Sequence, residues 1–394
     1  MRQALLLVLV AATACATETG SETTAALATG FVHRSGTTLV GVDGHPLVMR
    51  GLNLGAWLNW EGWMLGGNLL GTGNSQTAIA TRLAQLYGAG AVDQFRETFR
   101  DGFITEADLA HIAELGFNSV RVPFNHHDLD FARLDHVIDW GAAHGVYIVL
   151  DLHSAPGGQC NEFPDDPDPV LLWDDPAAQA ATIALWKQIA TRYKDRHWVA
   201  GYDLLNEPCK GSNAALAAFD KQLVTAIRSV DRDHLVIVEG NNAATDFGGF
   251  TSRLDENMMY SFHFYNFLGD NRVQKFTEYA ALARAQQVPL WCGELGEADV
   301  DFIRSTIGML SDPQYGVTGG WSLWTYKRAP TANATLEETP VPDAWKKVMA
   351  WVTAPLVNPK PGWLVATIGK AQYLATIPLA ANHERGDLLD ALLQ

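Results

Sequence analysis

The sequence predicts an α/β chain folded as a (β/α)8 TIM barrel, and three observations carry that reading. Eight short apolar runs recur along the chain: "LVMRGLN" (47–53), "FNSVRVPF" (117–124), "VYIVLDLH" (146–153), "GYDLLNE" (201–207), "LVIVEG" (235–240), "MMYSFHFY" (258–265), "PLWCGE" (289–294) and "GGWSLWTY" (319–326). Segments with helical apolar spacing separate them, and strands apolar on both faces with helices between them imply a parallel sheet covered on each side. Polar and titratable residues gather at the carboxyl ends of the runs, which in a closed barrel form a single face. An open doubly wound sheet is the runner-up, but no glycine-rich phosphate fingerprint follows the first run.

Along the chain, residues 1–30 read as an export signal and linker. One Arg and a short apolar run lead into small residues, then a Thr/Ala/Gly-rich stretch. The run is too short to span a bilayer, and no later segment approaches the ~20 apolar residues required. Cleavage after Ala14 suits an Ala-x-Ala pattern, while Cys15 after Ala-Thr-Ala resembles a weak bacterial lipobox. Plain secretion and a lipid anchor at Cys15 both stay open, and either places the protein outside the cytoplasm. "TTLVGVDGHPLVMRGLNLG" alternates apolar residues about the Asp43-Gly44 turn and spells a β-hairpin entering the first barrel strand.

The stretch from Ala56 to Asp101 is too long for an ordinary βα loop; "WLNWEGWMLGGNLLG" and a helix near residues 76–99 predict a lid or cleft wall. "TEADLAHIAELG" starts on a Thr105 cap with a Thr-x-x-Asp box and stops at Gly116. "FARLDHVIDWGAAHG" and "PAAQAATIALWKQIATRYKD" are helices by the same logic, the second with Pro176 in its first turn. The barrel domain is assigned to residues 31–352. Residues 353–394, with Pro355, Pro359 and Pro361, then an apolar region and a final charged helix, read as a C-terminal extension packed on the barrel.

Composition narrows the function classes. Hydrophobic residues are 47% and charged residues 18% of 394, enough for a large core and unlike a disordered chain. A net charge of −16, from 44 acidic and 28 basic residues, argues against a nucleic-acid partner and suits a neutral substrate. Thirteen Trp and ten Tyr first serve core packing, yet sugar-binding clefts use the same flat faces. No Cys pair has metal-ligand spacing, and no His-x-His or His-Glu-x-x-His pattern occurs, so neither a metal nor another cofactor is expected. Cys160 and Cys209 each follow a strand end by several residues, which allows a disulfide between neighbouring loops; Cys292 inside "VPLWCGE" reads as a small buried hydrophobe.

The strand-end residues are Asn53, Arg121, Asn125, Asp151, His153, Asn206, Glu207, Glu239, Asn241, His263, Tyr265, Glu294, Trp324 and Tyr326. Glu207 closes the fourth run and Glu294 the seventh, so two carboxylates converge across the barrel mouth. Hydrolysis of a glycosidic bond needs such a pair, one protonating the leaving oxygen and the other attacking the anomeric carbon or activating water. Their environments must hold them in different protonation states at one pH.

"VRVPFN", "LDLHSAPGG", "LLNEP", "HFY", "GELG" and "WSLWTY" occur in the order found in glycoside hydrolase family 5, and residues 46–350 resemble that family. The resemblance implies a retaining double displacement with Glu207 as acid/base and Glu294 as nucleophile, their carboxyl groups about 5 Å apart. It implies further that Asn206 binds the sugar 2-hydroxyl, that Arg121 and Tyr265 hold Glu294, that His153 and His263 line the subsite, and that Trp324 is the sugar platform. "RGLNLGAWLNWEGW" and "DLHSAPGGQ" resemble the exo-β-1,3-glucanase branch; residues 56–100 and 158–175 depart from it.

Plainer readings stand beside these. Arg121 alone suits a structural ion pair, His126-His127 a loop with at most one ring reaching the cleft, and Asp151 a buried hydrogen bond opposite Leu150 and Leu152. Trp57, Trp60, Trp63, Trp173 and Trp291 are core residues by default and platforms second. The function expected is a secreted retaining β-glycosidase acting on an oligo- or polysaccharide such as a β-glucan. A non-catalytic glycan-binding barrel and a metal-dependent barrel hydrolase are the alternatives, and linkage, endo or exo action and oligomeric state are left open.

Overall fold

The computed structural model describes residues 30–160, 166–266, 269–331 and 335–394. The expectations for residues 1–29, including the export signal and Cys15, lie outside them. Eight parallel strands close into a barrel: β1 (Met49–Asn53), β2 (Ser119–Asn125), β3 (Tyr147–Ser154), β4 (Val199–Asp203), β5 (Leu235–Glu239), β6 (Met258–Tyr265), β7 (Leu290–Gly296) and β8 (Gly320–Trp324). Each of the eight apolar runs became a strand. The fourth run overreached: β4 ends at Asp203, and Leu204, Leu205, Asn206 and Glu207 continue as irregular chain above the barrel.

The amino-terminal hairpin is present, with Leu39 opposite Leu47 and Val40 opposite Pro46, and His33–Ser35 adds a third antiparallel strand. This small sheet closes the end of the barrel where the strands begin. Val32, Leu39 and Leu47 pack with Met49, Tyr147, Val149, Leu235, Ile237, Met259 and Trp291, all buried. Each such side chain taken from water contributes roughly 1.5–3 kcal/mol. With that end sealed by apolar residues, the other end is left for polar chemistry.

Helix signals were local and held. Thr105 and Asp108 form a capping box at Glu106–Glu114, and Asp175 caps Pro176–Tyr193 with Pro176 in the first turn. The insertion differs from expectation. Where one helix near residues 76–99 was expected, two occur, Gln76–Tyr87 and Ala89–Phe103, separated by Gly88 at φ 83°. A left-handed residue cannot sit inside an α-helix, and glycine takes that conformation at little steric cost.

The insertion and the carboxyl-terminal segment share one aromatic layer. Trp60 meets Phe95 at 5.7 Å between ring centroids, Phe95 meets Trp345 at 5.4 Å, and Trp345 stacks on Tyr373 at 4.8 Å. After β8 the chain forms a second small sheet in which Glu337–Glu338 pairs with Lys327–Arg328 and with His383–Glu384. The last helix, Gly386–Leu392, buries Leu388, Ala391 and Leu392. Cys160 and Cys209 form a disulfide, and Cys292 is a buried free thiol. Among the described residues no helix is long and apolar enough to cross a membrane.

Candidate active site

At the open end of the barrel the strand-end residues assemble around Arg121 of β2. Its side chain is buried, and each donor of the guanidinium has a partner. Nε donates to Asp203 Oδ2 at 2.8 Å, Nη1 to Glu294 Oε1 at 2.5 Å and Asn53 Oδ1 at 3.2 Å, and Nη2 to Asn206 Oδ1 at 2.9 Å and Glu239 Oε1 at 3.0 Å. Asp151 Oδ1 also lies 3.1 Å from Nη2. One fixed cation thus organises four carboxylates from β3, β4, β5 and β7, using the planar fork that only arginine provides. These carboxylates hold the guanidinium charged against the cost of burial.

Glu294 is nearly buried on β7, and its second oxygen accepts the Tyr265 hydroxyl at 2.6 Å. Burial and the neighbouring Glu294 charge push the Tyr265 phenol well above its ordinary range, so it stays a donor. Glu207 lies four residues past the end of β4 at φ 46°, the left-handed region. A non-glycine residue held there costs about 1–3 kcal/mol, which the surroundings must offset. Its N–H donates to Glu239 Oε2 at 2.7 Å, a charge-assisted bond that pins the backbone.

His263 of β6 joins the two acids. Nδ1 lies 2.8 Å from Glu207 Oε1 and 3.5 Å from Glu294 Oε2, while Nε2 lies 3.1 Å from Glu239 Oε1. Burial disfavours the imidazolium, but Glu239, Glu294 and Glu207 outweigh it and raise His263 well above the usual histidine range. Burial alone would raise the Glu207 carboxyl; the bond and charge of His263 reverse this and hold Glu207 below its ordinary value. One oxygen each of Glu207 and Glu294 and one His263 nitrogen all fall within 4.8 Å of one another.

A cavity of about 820 Å³ opens over this cluster, lined by Glu61, Trp63, Leu69, Leu70, His153, Glu207, Asn242, His263, Tyr265, Glu294 and Trp324 among others. His153 stacks on Trp324 with centroids 5.3 Å apart and planes 3° from parallel. Its Nδ1 faces Asp151 Oδ2 at 2.8 Å and its Nε2 faces Glu61 Oε1 at 3.5 Å. Although burial opposes it, Asp151 and Glu61 raise His153 to about 10.

All eight residues singled out from the sequence, Arg121, His153, Asn206, Glu207, His263, Tyr265, Glu294 and Trp324, come together here. Other strand-end residues do not join the cavity. Asn125 bonds Asn59, Asn241 bonds Asn213, and the Tyr326 hydroxyl turns to Asp108. His126 and His127 contact each other with their rings tilted by 38°, and neither lines the cavity. Trp57, Trp60 and Trp291 are core residues and Trp173 donates to Gln159 O, leaving Trp63 as the one tryptophan of that set on the cavity wall.

Three acidic residues escaped the sequence reading. Asp203 was taken as part of a continuous ladder, though the alternation that singled out Asp151 applies equally to it. Burial and then the Glu239 charge raise its carboxyl to about 7 in spite of Arg121. Glu61 lies in the insertion, off the strand ends, where the barrel pattern gives no signal, whereas Glu297 directly follows β7 and was passed over because the seventh run was read as ending at Glu294. Glu61 accepts the Trp63 indole N–H at 2.7 Å and reaches the cavity from the insertion, which is therefore a cleft wall.

Comparison with known proteins identifies the family. The family model "Cellulase (glycosyl hydrolase family 5)" matches residues 84–326, more than half of the chain. A protein described as "Beta-xylosidase" from Phanerodontia chrysosporium is 31% identical over 341 residues, covering 75% of this chain and 71% of its own length. A "Probable glucan 1,3-beta-glucosidase A" from Aspergillus clavatus is 27% identical over 234 residues, covering 56% of each chain. The solved structure of Thermotoga maritima Cel5A in complex with mannotriose superposes with a TM-score of 0.55 at 16% identity, over 88% of this chain and 97% of that one, a likeness of fold. The chain belongs to glycoside hydrolase family 5 and is a glycoside hydrolase.

Proposed function

We propose that this member of glycoside hydrolase family 5 cleaves a β-glucan or related β-linked glycan with retention of configuration, Glu207 serving as acid/base and Glu294 as nucleophile. The observation that carries the proposal is the approach of a Glu207 oxygen to a Glu294 oxygen within 4.8 Å. Retaining pairs stand about 5–5.5 Å apart, whereas inverting pairs need roughly 6.5–9.5 Å to admit a water between them.

In the first step Glu294 attacks the anomeric carbon, the bond to the leaving oxygen breaks, and Glu207 delivers a proton to that oxygen. The product is a glycosyl ester on Glu294. In the second step Glu207 takes a proton from water, the water oxygen bonds to the anomeric carbon, and Glu294 leaves as a carboxylate. Arg121 and Tyr265 each donate to one Glu294 oxygen and hold the carboxylate oriented for attack.

The low position of the Glu207 carboxyl bears on the acid step. We assign one proton to the His263–Glu207 pair, at rest on the raised His263, whose Nδ1 lies 2.8 Å from Glu207 Oε1. Bound substrate strips water from Glu207, which favours its neutral form, so the proton crosses to Oε1 and on to the leaving oxygen. After that transfer a low-lying Glu207 carboxylate is the form required for the second step.

Asn206, held by Arg121 at 2.9 Å, is assigned to the sugar 2-hydroxyl, and Trp324 on its His153 support to the platform beneath the ring. Glu61, projecting from the insertion, is placed to accept from a sugar hydroxyl on the same wall. The relatives' descriptions include a β-xylosidase, a probable glucan 1,3-β-glucosidase and endoglucanases, so the product time course decides between exo and endo action. Export from the cytoplasm is part of the same reading, supported by the Cys160–Cys209 bridge, because such bonds persist in oxidising compartments.

The roles are tested with Glu294→Ala on an aryl β-glycoside. Turnover should vanish, and azide should restore it with a product of inverted configuration; absence of rescue counts against Glu294 as nucleophile. Time-resolved products from β-1,3-, β-1,4- and β-1,6-glucans, mannan and xylan identify the glycan and separate exo from endo cleavage.

A further inference from the structure

We propose that His111, Glu337 and Glu384 form a divalent metal site of the zinc class that ties the carboxyl-terminal segment to the barrel. The three residues come from the helix Glu106–Glu114, the strand Glu337–Glu338 after β8, and the strand His383–Glu384 near the chain end. None of them lines the catalytic cavity.

Geometry is the first support. His111 Nε2 lies 3.2 Å from Glu337 Oε1 and 3.1 Å from Glu384 Oε2, and the three atoms fall within 4.8 Å of one another. Tetrahedral zinc with arms of about 2.0–2.2 Å sets its ligands roughly 3.3–3.6 Å apart, so the two His111 spacings need to open by only a few tenths of an ångström, and the two carboxylate oxygens already lie within 4.8 Å of each other. A fourth position is left for water, because His111 and Glu384 are partly exposed, at 24% and 37% of their side-chain area.

The sheet gives a second, independent support. Glu337 and Glu384 are direct partners in an antiparallel pair, an arrangement in which like charges destabilise. Both carboxylates turn to one imidazole nitrogen, which carries at most one proton. The nearby cations are engaged: Lys327 Nζ with Asp108 at 3.1 Å and Phe103 O at 2.8 Å, and Arg385 with Asp387 at 2.7 Å and Glu338 at 3.2 Å. A neutral imidazole, two carboxylates and a water are a donor set suited to zinc.

The test uses the full chain after removal of metals with chelator, titrated with Zn²⁺ by calorimetry and by thermal unfolding. One ion should bind per chain and raise Tm by several degrees, and His111→Gln and Glu384→Gln should each weaken that binding at least tenfold. Without metal, Glu384→Gln should unfold no lower than the parent chain, since it relieves the opposed charges; a lower Tm points to an ion pair with His111 and overturns the proposal. Zinc binding unchanged in both variants places the ion elsewhere and overturns it as well, as does the absence of saturable binding.

Discussion

The backbone N–H of Glu207 donates to the Glu239 carboxylate at 2.7 Å, so a residue at the end of β5 fixes one that lies beyond the end of β4. That bond holds a left-handed Glu207 in place, and catalysis is sensitive to shifts of about 1 Å in a reacting group. Glu239→Ala is expected to lower kcat on an aryl β-glucoside by about 10²-fold or more while the chain still folds. Steady-state kinetics beside a thermal melt checks this, and a near-parental kcat in a folded variant contradicts the tethering role.

Arg121 touches Asp151, Asp203, Glu239 and Glu294 with no exposed surface of its own side chain. Removing one partner of a buried ion network costs roughly 3–5 kcal/mol, because the remaining charges lose their compensation. Arg121→Met should lose about that much in urea unfolding and nearly all activity. Arg121→Lys should recover little, since an ammonium cannot serve carboxylates on both edges of a planar fork. Stability close to that of the parent chain in Arg121→Met would show that the carboxylates are neutral or rearranged.

The pH profile should report the proton shared by His263 and Glu207. His263 is raised well above the ordinary imidazole value, so the pair keeps its proton into alkaline solution and kcat/KM should fall only well above about pH 6.5. In His263→Asn the acid depends on the Glu207 proton alone, which a carboxyl releases at lower pH. The basic limb should therefore move toward acid by more than one pH unit. A limb that stays in place means that His263 does not store the catalytic proton.

What the sequence made legible was periodic or local. Eight apolar runs in alternation with helices specified the barrel, and an Asp43-Gly44 turn and a Thr105 box marked a hairpin and a helix start. The cluster around Glu207 and Glu294 was legible because a barrel places every strand end on one face, so position along a run stands in for position in space. That logic gives no purchase on Glu61, which enters from an irregular insertion; Glu297, one residue past β7, was missed because the run was read as stopping at Glu294. Asp203 had a usable signal in its position opposite Tyr202 and Leu204, obscured because the run continued through Leu205 and hid where the ladder stops. Gly88 could have announced the break between two helices, as its neighbours otherwise continue a helical pattern. His111, Glu337 and Glu384 have no spacing to read at all, because tertiary folding alone brings those three segments together.

The central claim is that Glu294 bonds to the sugar while Glu207 handles the proton, two displacements at one carbon. Proton NMR of the first product released from an aryl β-glycoside measures this directly. The account predicts that the β-anomer appears first and then mutarotates; an α-anomer formed first would contradict it, since a single displacement by water inverts the centre.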